Sequence, residues 1–69
     1  MQIKIQFKSD GHMNMMAFSS YTPLANNLKN TYGLLPFWVK DNGQDYENEQ
    51  FVISKKDVEV FFDIVDTME

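Results

Sequence analysis

Few side chains in this 69-residue chain could do chemistry. There is one histidine, His12, and no cysteine. The densest group of reactive atoms is DNGQDYENEQ, residues 41–50, where Asp41, Asp45, Glu47 and Glu49 crowd together without a cation. A base such as His12 would need serine and carboxylate partners brought to it across the fold. No serine stands on a nucleophile elbow, and no glycine-rich strand-to-helix turn could cradle phosphate. The absence of cysteine removes a thiolate metal site, a thiol nucleophile and a disulfide framework. The expectation is a protein with no catalytic residue and no enzyme activity.

The acidic run invites comparison with a calcium loop. Counted from Asp41, such a loop wants an oxygen ligand at position 3, glycine at 6 and glutamate at 12. Those places hold Gly43, Tyr46 and Val52. No metal and no cofactor is therefore expected. Lys4 and Lys8, with Phe37 and Trp38, are the only ingredients of a nucleic-acid surface. Phosphate binding at ordinary salt needs more cations than that, and the chain carries a net −4. The rings read instead as core or interface residues, with no direct nucleic-acid contact.

Charge is polarised along the chain. Residues 1–40 hold four lysines against Asp10, a net +3, whereas residues 41–69 hold nine acids against Lys55 and Lys56, a net −7. Read as a helix, the C-terminal segment puts Glu59, Asp63 and Asp66 at i, i+4 and i+7, where like charges repel by about 0.2–0.5 kcal/mol per pair. Lys55 and Lys56 then stand at the positive helix end, and Asp63, Asp66 and Glu69 at the negative one. Locally unfavourable choices of this kind gather at functional surfaces. The expected partner-binding residues are thus Asp41, Asp45, Glu47, Glu49, Glu59, Asp63 and Asp66.

The functional expectation is a small acidic, non-enzymatic module that engages a basic groove on another protein, in particular a nucleic-acid-binding protein. Small acidic single-domain proteins are common among phage and mobile-element inhibitors, including anti-CRISPR proteins, in which carboxylates imitate phosphates. The alternative is an assembly protein that self-associates through a strand edge or a face built from Met13 and Met15. Its expected state is a monomer or small homo-oligomer. Residues 1–12 lack the apolar block of a signal peptide, and no apolar run approaches the ~18 residues that cross a bilayer. A soluble, cytoplasmic protein that does not bind membranes is expected.

These residues need a scaffold. At this size the chain makes one domain, residues 1–69, and folding buries only about 60% of the unfolded surface. QIKIQFK alternates strictly, with Ile3, Ile5 and Phe7 on one face of a strand. Asp10-Gly11 signals a hairpin returning through MNMMAFS, which would add Met16 and Phe18 to that face and leave Met13 and Met15 on the other. YTPLANNLKNTYGLL reads as a helix capped by Thr22, opened by Pro23 and closed by Gly33, with Leu24, Leu28, Tyr32 and Leu35 as its stripe. PFWVK and QFVIS read as strands. They are joined by a tight Asn42-Gly43 turn, pairing Lys40 with Asp45 and requiring a bulge near Asn48, or by an open loop over 41–49. SKKDVEVFFDIVDTME reads as a helix started by Ser54 and Asp57, with Val58, Phe61, Phe62, Val65 and Met68 inward. Alternation of Val58, Val60, Phe62 and Ile64 is the rival strand reading. The sum is an α+β domain in the order β-β-α-β-β-α, a mostly antiparallel sheet with helices on one face.

Overall fold

The computed structural model describes residues 1–18 and 22–68, with Thr22 described by its backbone alone. The α+β class is as expected. Three helices pack on one face of a five-stranded sheet in which every neighbouring pair is antiparallel. The elements are β1 (Gln2–Phe7), α1 (Asp10–Phe18), α2 (Thr22–Thr31), β2 (Phe37–Asp41), β3 (Asp45–Glu47), β4 (Val52–Ser54), α3 (Lys55–Phe61) and β5 (Phe62–Met68). Across the sheet the strands run β4-β3-β2-β1-β5, so α3 carries the chain from one margin to the other.

The alternation in β1 does what its pattern predicts. Ile3, Ile5 and Phe7 are buried and face Phe37 and Val39 of β2, Met13 and Met16 of α1, and Leu28 of α2 in one core. Ile53, Val58, Phe61 and Phe62 complete it. Each such side chain contributes roughly 1.5–3 kcal/mol by leaving water. Rings knit the layers together: Tyr32 stacks on Phe37 at 4.0 Å and Phe7 on Phe62 at 4.2 Å. Gly33, at φ 58°, ends the second helix as expected, its N–H bonding the Lys29 carbonyl at 2.9 Å. Beyond it the chain has left the helical path, so Leu35 is exposed rather than part of the stripe. The expected Thr22 cap lies outside the described residues.

Two segments differ from the sequence reading. Residues 10–18 are a helix, not the return strand of a hairpin. Ser9 caps it, its Oγ accepting the His12 N–H at 3.2 Å, and Asp10 sits in the first turn where the helix dipole favours an acid. The run MNMMAF has no β-branched residue, and methionine and alanine are good helix formers. Helical spacing then buries Met13 with Met16, whereas Phe18, expected in the core, is 91% exposed.

At the other end the helix stops at Phe61. Ser54 caps it as predicted, accepting the Asp57 N–H at 3.1 Å. From Phe62 the chain is extended and pairs with β1. β-branched Ile64, Val65 and Thr67 suit a strand, and β1 gains a second neighbour. Val65 and Met68, expected in a buried stripe, are exposed, as is Ile64. No described helix is long and apolar enough to cross a membrane.

Candidate functional site

The polar run 41–50 folds into two side-chain-stapled reversals around a short strand. Asp41 Oδ1 accepts the Gly43 N–H at 2.8 Å, and Asn42 Oδ1 accepts the N–H groups of Gln44 and Asp45 at 3.0 and 2.8 Å. Asn42 N–H donates to the Asp45 carbonyl at 3.0 Å, and Gly43 takes φ 98°. The loop is therefore two residues longer than an Asn-Gly turn, and Lys40 pairs with Glu47 rather than Asp45. Asn48 repeats the device, its Oδ1 accepting from Gln50 and Phe51 at 2.9 Å each. Its amide reaches back to the Tyr32 hydroxyl at 3.2 Å. Neither the tight hairpin nor the open loop is formed. The segment is a meander, and β3 inside it lets Tyr46 and Ile53 face inward together.

The seven candidate carboxylates do not make one continuous face. Asp41 is committed internally, bridging to Lys55 Nζ at 3.0 Å. The Gly43 N–H and the Lys55 ammonium hold its carboxyl below the usual value of 3.8. Asp45 lines a crevice with Ser54 and Asp57. Glu47 and Glu49 border a groove beside Trp38, Lys40 and Gln2. Glu59 and Asp63 line a third groove with Lys8 and Lys55. Asp66 stands opposite Lys4 across the β1–β5 ladder.

β3 and the edge strand β5 are three strand spacings apart, roughly 14 Å. Between them Lys4, Trp38 and Lys40 occupy the sheet face opposite the helices, with Lys4 Nζ 5.8 Å from the Trp38 ring centre. The strand order thus splits the acids into two groups on either side of a cationic, aromatic stripe. Phe37 is core, whereas half-buried Trp38 is on the other face. The helical face expected for Glu59, Asp63 and Asp66 is not formed, because α3 ends between the first and the second of them. Their i, i+4, i+7 repulsion and the dipole misplacement of Asp63 and Asp66 vanish with it. Glu69, also assigned to that helix end, lies outside the described residues.

One feature of the surface escaped the sequence reading. β5 is exposed along its length after Phe62, with both carboxylates and apolar side chains in solvent. The cluster of β-branched residues in DIVDT was its signal. Elsewhere, His12 Nδ1 lies 2.8 Å from Ser9 Oγ, a helix-capping pair rather than a triad. Among the described residues no group of three or more His, Cys, Asp or Glu side chains could hold a metal ion. Compared with protein-family models, with curated proteins and with solved structures, the chain gives no match.

Proposed function

We propose that this protein is a small non-enzymatic binding module whose carboxylates engage a cationic surface on another protein. The observation that carries this reading is the α3–β5 margin. Glu59, Asp63 and Asp66 are exposed there, and none has an ion-pair partner among the described residues. Exposed Ile64, Val65 and Met68 lie among them. Unneutralised acids interleaved with bare apolar side chains suit a protein surface, where charge steers the encounter and apolar contact retains it. In its sharper form the partner is a nucleic-acid-binding protein, and the carboxylates occupy the places of phosphates in its groove. Inhibitors encoded by phages and mobile elements, anti-CRISPR proteins among them, work by such occupation.

Immobilised protein challenged with cell extract at low salt and eluted by a salt gradient tests the reading. A basic protein retained by the wild type and released by Glu59→Lys with Asp63→Lys sustains it. Retention unchanged by that double reversal overturns it.

The second reading, self-association, is favoured by the free edge of β5. Asp63 and Asp66 oppose it, because two copies meeting there bring like charges together. A sedimentation profile that stays monomeric at micromolar concentration removes it.

A further inference from the structure

The outer edge of β5 is a strand template, and its hydrogen-bond phase can be read from two contacts. Asp41 N–H donates to the Met1 carbonyl at 3.1 Å, so odd-numbered residues of β1 turn their backbone groups toward β2. Even-numbered ones turn toward β5, as Lys8 N–H confirms by donating to the Phe61 carbonyl at 3.0 Å. The ladder pairs Gln6 with Asp63 and Lys4 with Asp66, and slips by one residue between Ile5 and Lys4, which leaves Val65 as a bulge. Asp63 and Asp66 therefore spend their backbone groups on β1. Phe62, Ile64 and Thr67 point theirs outward.

Two of the three outward N–H groups are already occupied. Phe62 N–H closes α3 on the Val58 carbonyl. Thr67 N–H is held by Asp66 Oδ1 at 2.8 Å. Ile64 has an outward N–H and an outward carbonyl, with no partner for either among the described residues, and its side chain is 54% exposed. Beside it Asp63 lies on the sheet face opposite the helices, and Asp66 follows on that same face after the bulge.

We infer that β5 accepts an extended segment of a partner protein as a sixth strand, centred on Ile64, and that this segment alternates cationic and apolar residues. The inference rests on the proposed acidic binding function and names its mode. A partner residue paired with Ile64 puts its side chain on the helix side, against the exposed Ile64 side chain, so it is apolar. Its two neighbours point to the other face, toward Asp63 and Asp66, so they are lysine or arginine. A cation drawn to Asp66 competes with Thr67 N–H for the carboxylate and frees that amide to extend the ladder. The charges select this occupant over a second copy, because an acidic edge repels its twin while attracting a basic strand.

The probe is a seven-residue peptide of alternating lysine and valine, blocked at both ends, titrated into isotope-labelled protein at low salt. The expected result is a large shift and slowed hydrogen exchange at the Ile64 amide. Ile64→Pro deletes the outward N–H on an edge where proline is tolerated. It weakens the peptide by about 2- to 10-fold, the worth of one hydrogen bond, while the thermal transition remains cooperative. Asp63→Lys with Asp66→Lys weakens binding about tenfold or more. Asp45→Lys with Glu47→Lys, on β3 three strand spacings away, leaves the affinity for this peptide unchanged.

The same peptide N-methylated at each valine cannot form the ladder. If it binds as tightly as the parent, the strand-addition inference fails while the acidic reading stands, provided the Asp63/Asp66 reversal still weakens binding. If binding is indifferent to that reversal, or if the parent peptide does not bind, the inference also fails. In that case retention of a basic protein from extract decides the acidic reading separately. Slowed exchange at Ile64 that grows with protein concentration and without peptide shows a second copy to be the occupant, and overturns the inference.

Discussion

β1 and β5 lie side by side in one sheet, and their ladder sets Ile5 opposite Ile64. Ile5 is 0% exposed and Ile64 is 54% exposed. The same residue type, on paired positions of one face, serves folding in one strand and is left in water in the next. The helices make the difference: they cover β1 and β2 but leave β5 bare after Phe62, whose ring reaches back to Phe7. β5 therefore holds the sheet through its backbone and its first residue. Its remaining side chains are not used for stability, which is where a binding surface can be kept without unfolding the domain.

The strongest way to break this comparison is at Phe62, the one buried residue of β5. Phe62→Ala is expected to cost about 3–5 kcal/mol in urea unfolding. That is comparable with the whole stability expected of a chain this size, about 3–10 kcal/mol. If Phe62→Ala were mild, the anchoring of β5 by its first residue would be wrong.

The isoleucine pair sharpens it next. Ile5→Ala is expected to lose about 2–5 kcal/mol, and Ile64→Ala no more than about 0.5 kcal/mol. Equal losses from the two would mean that β5 is covered in solution.

A smaller effect tests the hinge that delivers the chain to β5. Ser54→Ala removes the cap of α3 and is expected to cost about 1 kcal/mol, read as a fall in Tm of about 4–8 °C.

The smallest expected effect lies at the end of β2, the middle strand of the sheet. Asp41 has its pKa lowered by the Gly43 N–H and by Lys55, so its contribution is complete above the unfolded value of 3.8 and is lost as pH falls through the lower folded value. Asp41→Asn should flatten the acid limb of the stability profile below about pH 4, with a small loss of stability at neutral pH that disappears at the acid extreme, as urea titrations at each pH would show.

Much of the fold was legible from local pattern. The alternation of Ile3, Ile5 and Phe7, the Pro23-to-Gly33 helix, the Ser54 cap, and the buried places of Leu28, Val58 and Phe61 all follow from spacing and capping chemistry, whereas Met16 and Phe62 are buried as expected but by a helix in place of a strand and a strand in place of a helix. The second turn chemistry was also present in the residues, since Asn48 precedes its reversal as Asn42 precedes the first, and each side chain mimics a backbone turn. The candidate site was legible only as a set of acids. Their grouping depends on which strands become neighbours, and no spacing within residues 41–66 states that β3 and β5 lie on opposite sides of the β2–β1 pair.

By itself, then, the sequence determined an α+β domain, the inward face of its first strand, its middle helix, and the start of its last one. Those rest on interactions within a few residues or on a single periodicity. Local propensity leaned toward helix in MNMMAF and strand in DIVDTM, but tertiary structure decided both. Both segments carry patterns compatible with either state. The choice fell to partners distant in the chain: α1 buries Met13 and Met16 against the sheet, and β1, with only β2 beside it, takes β5 to satisfy the backbone groups of its even-numbered residues.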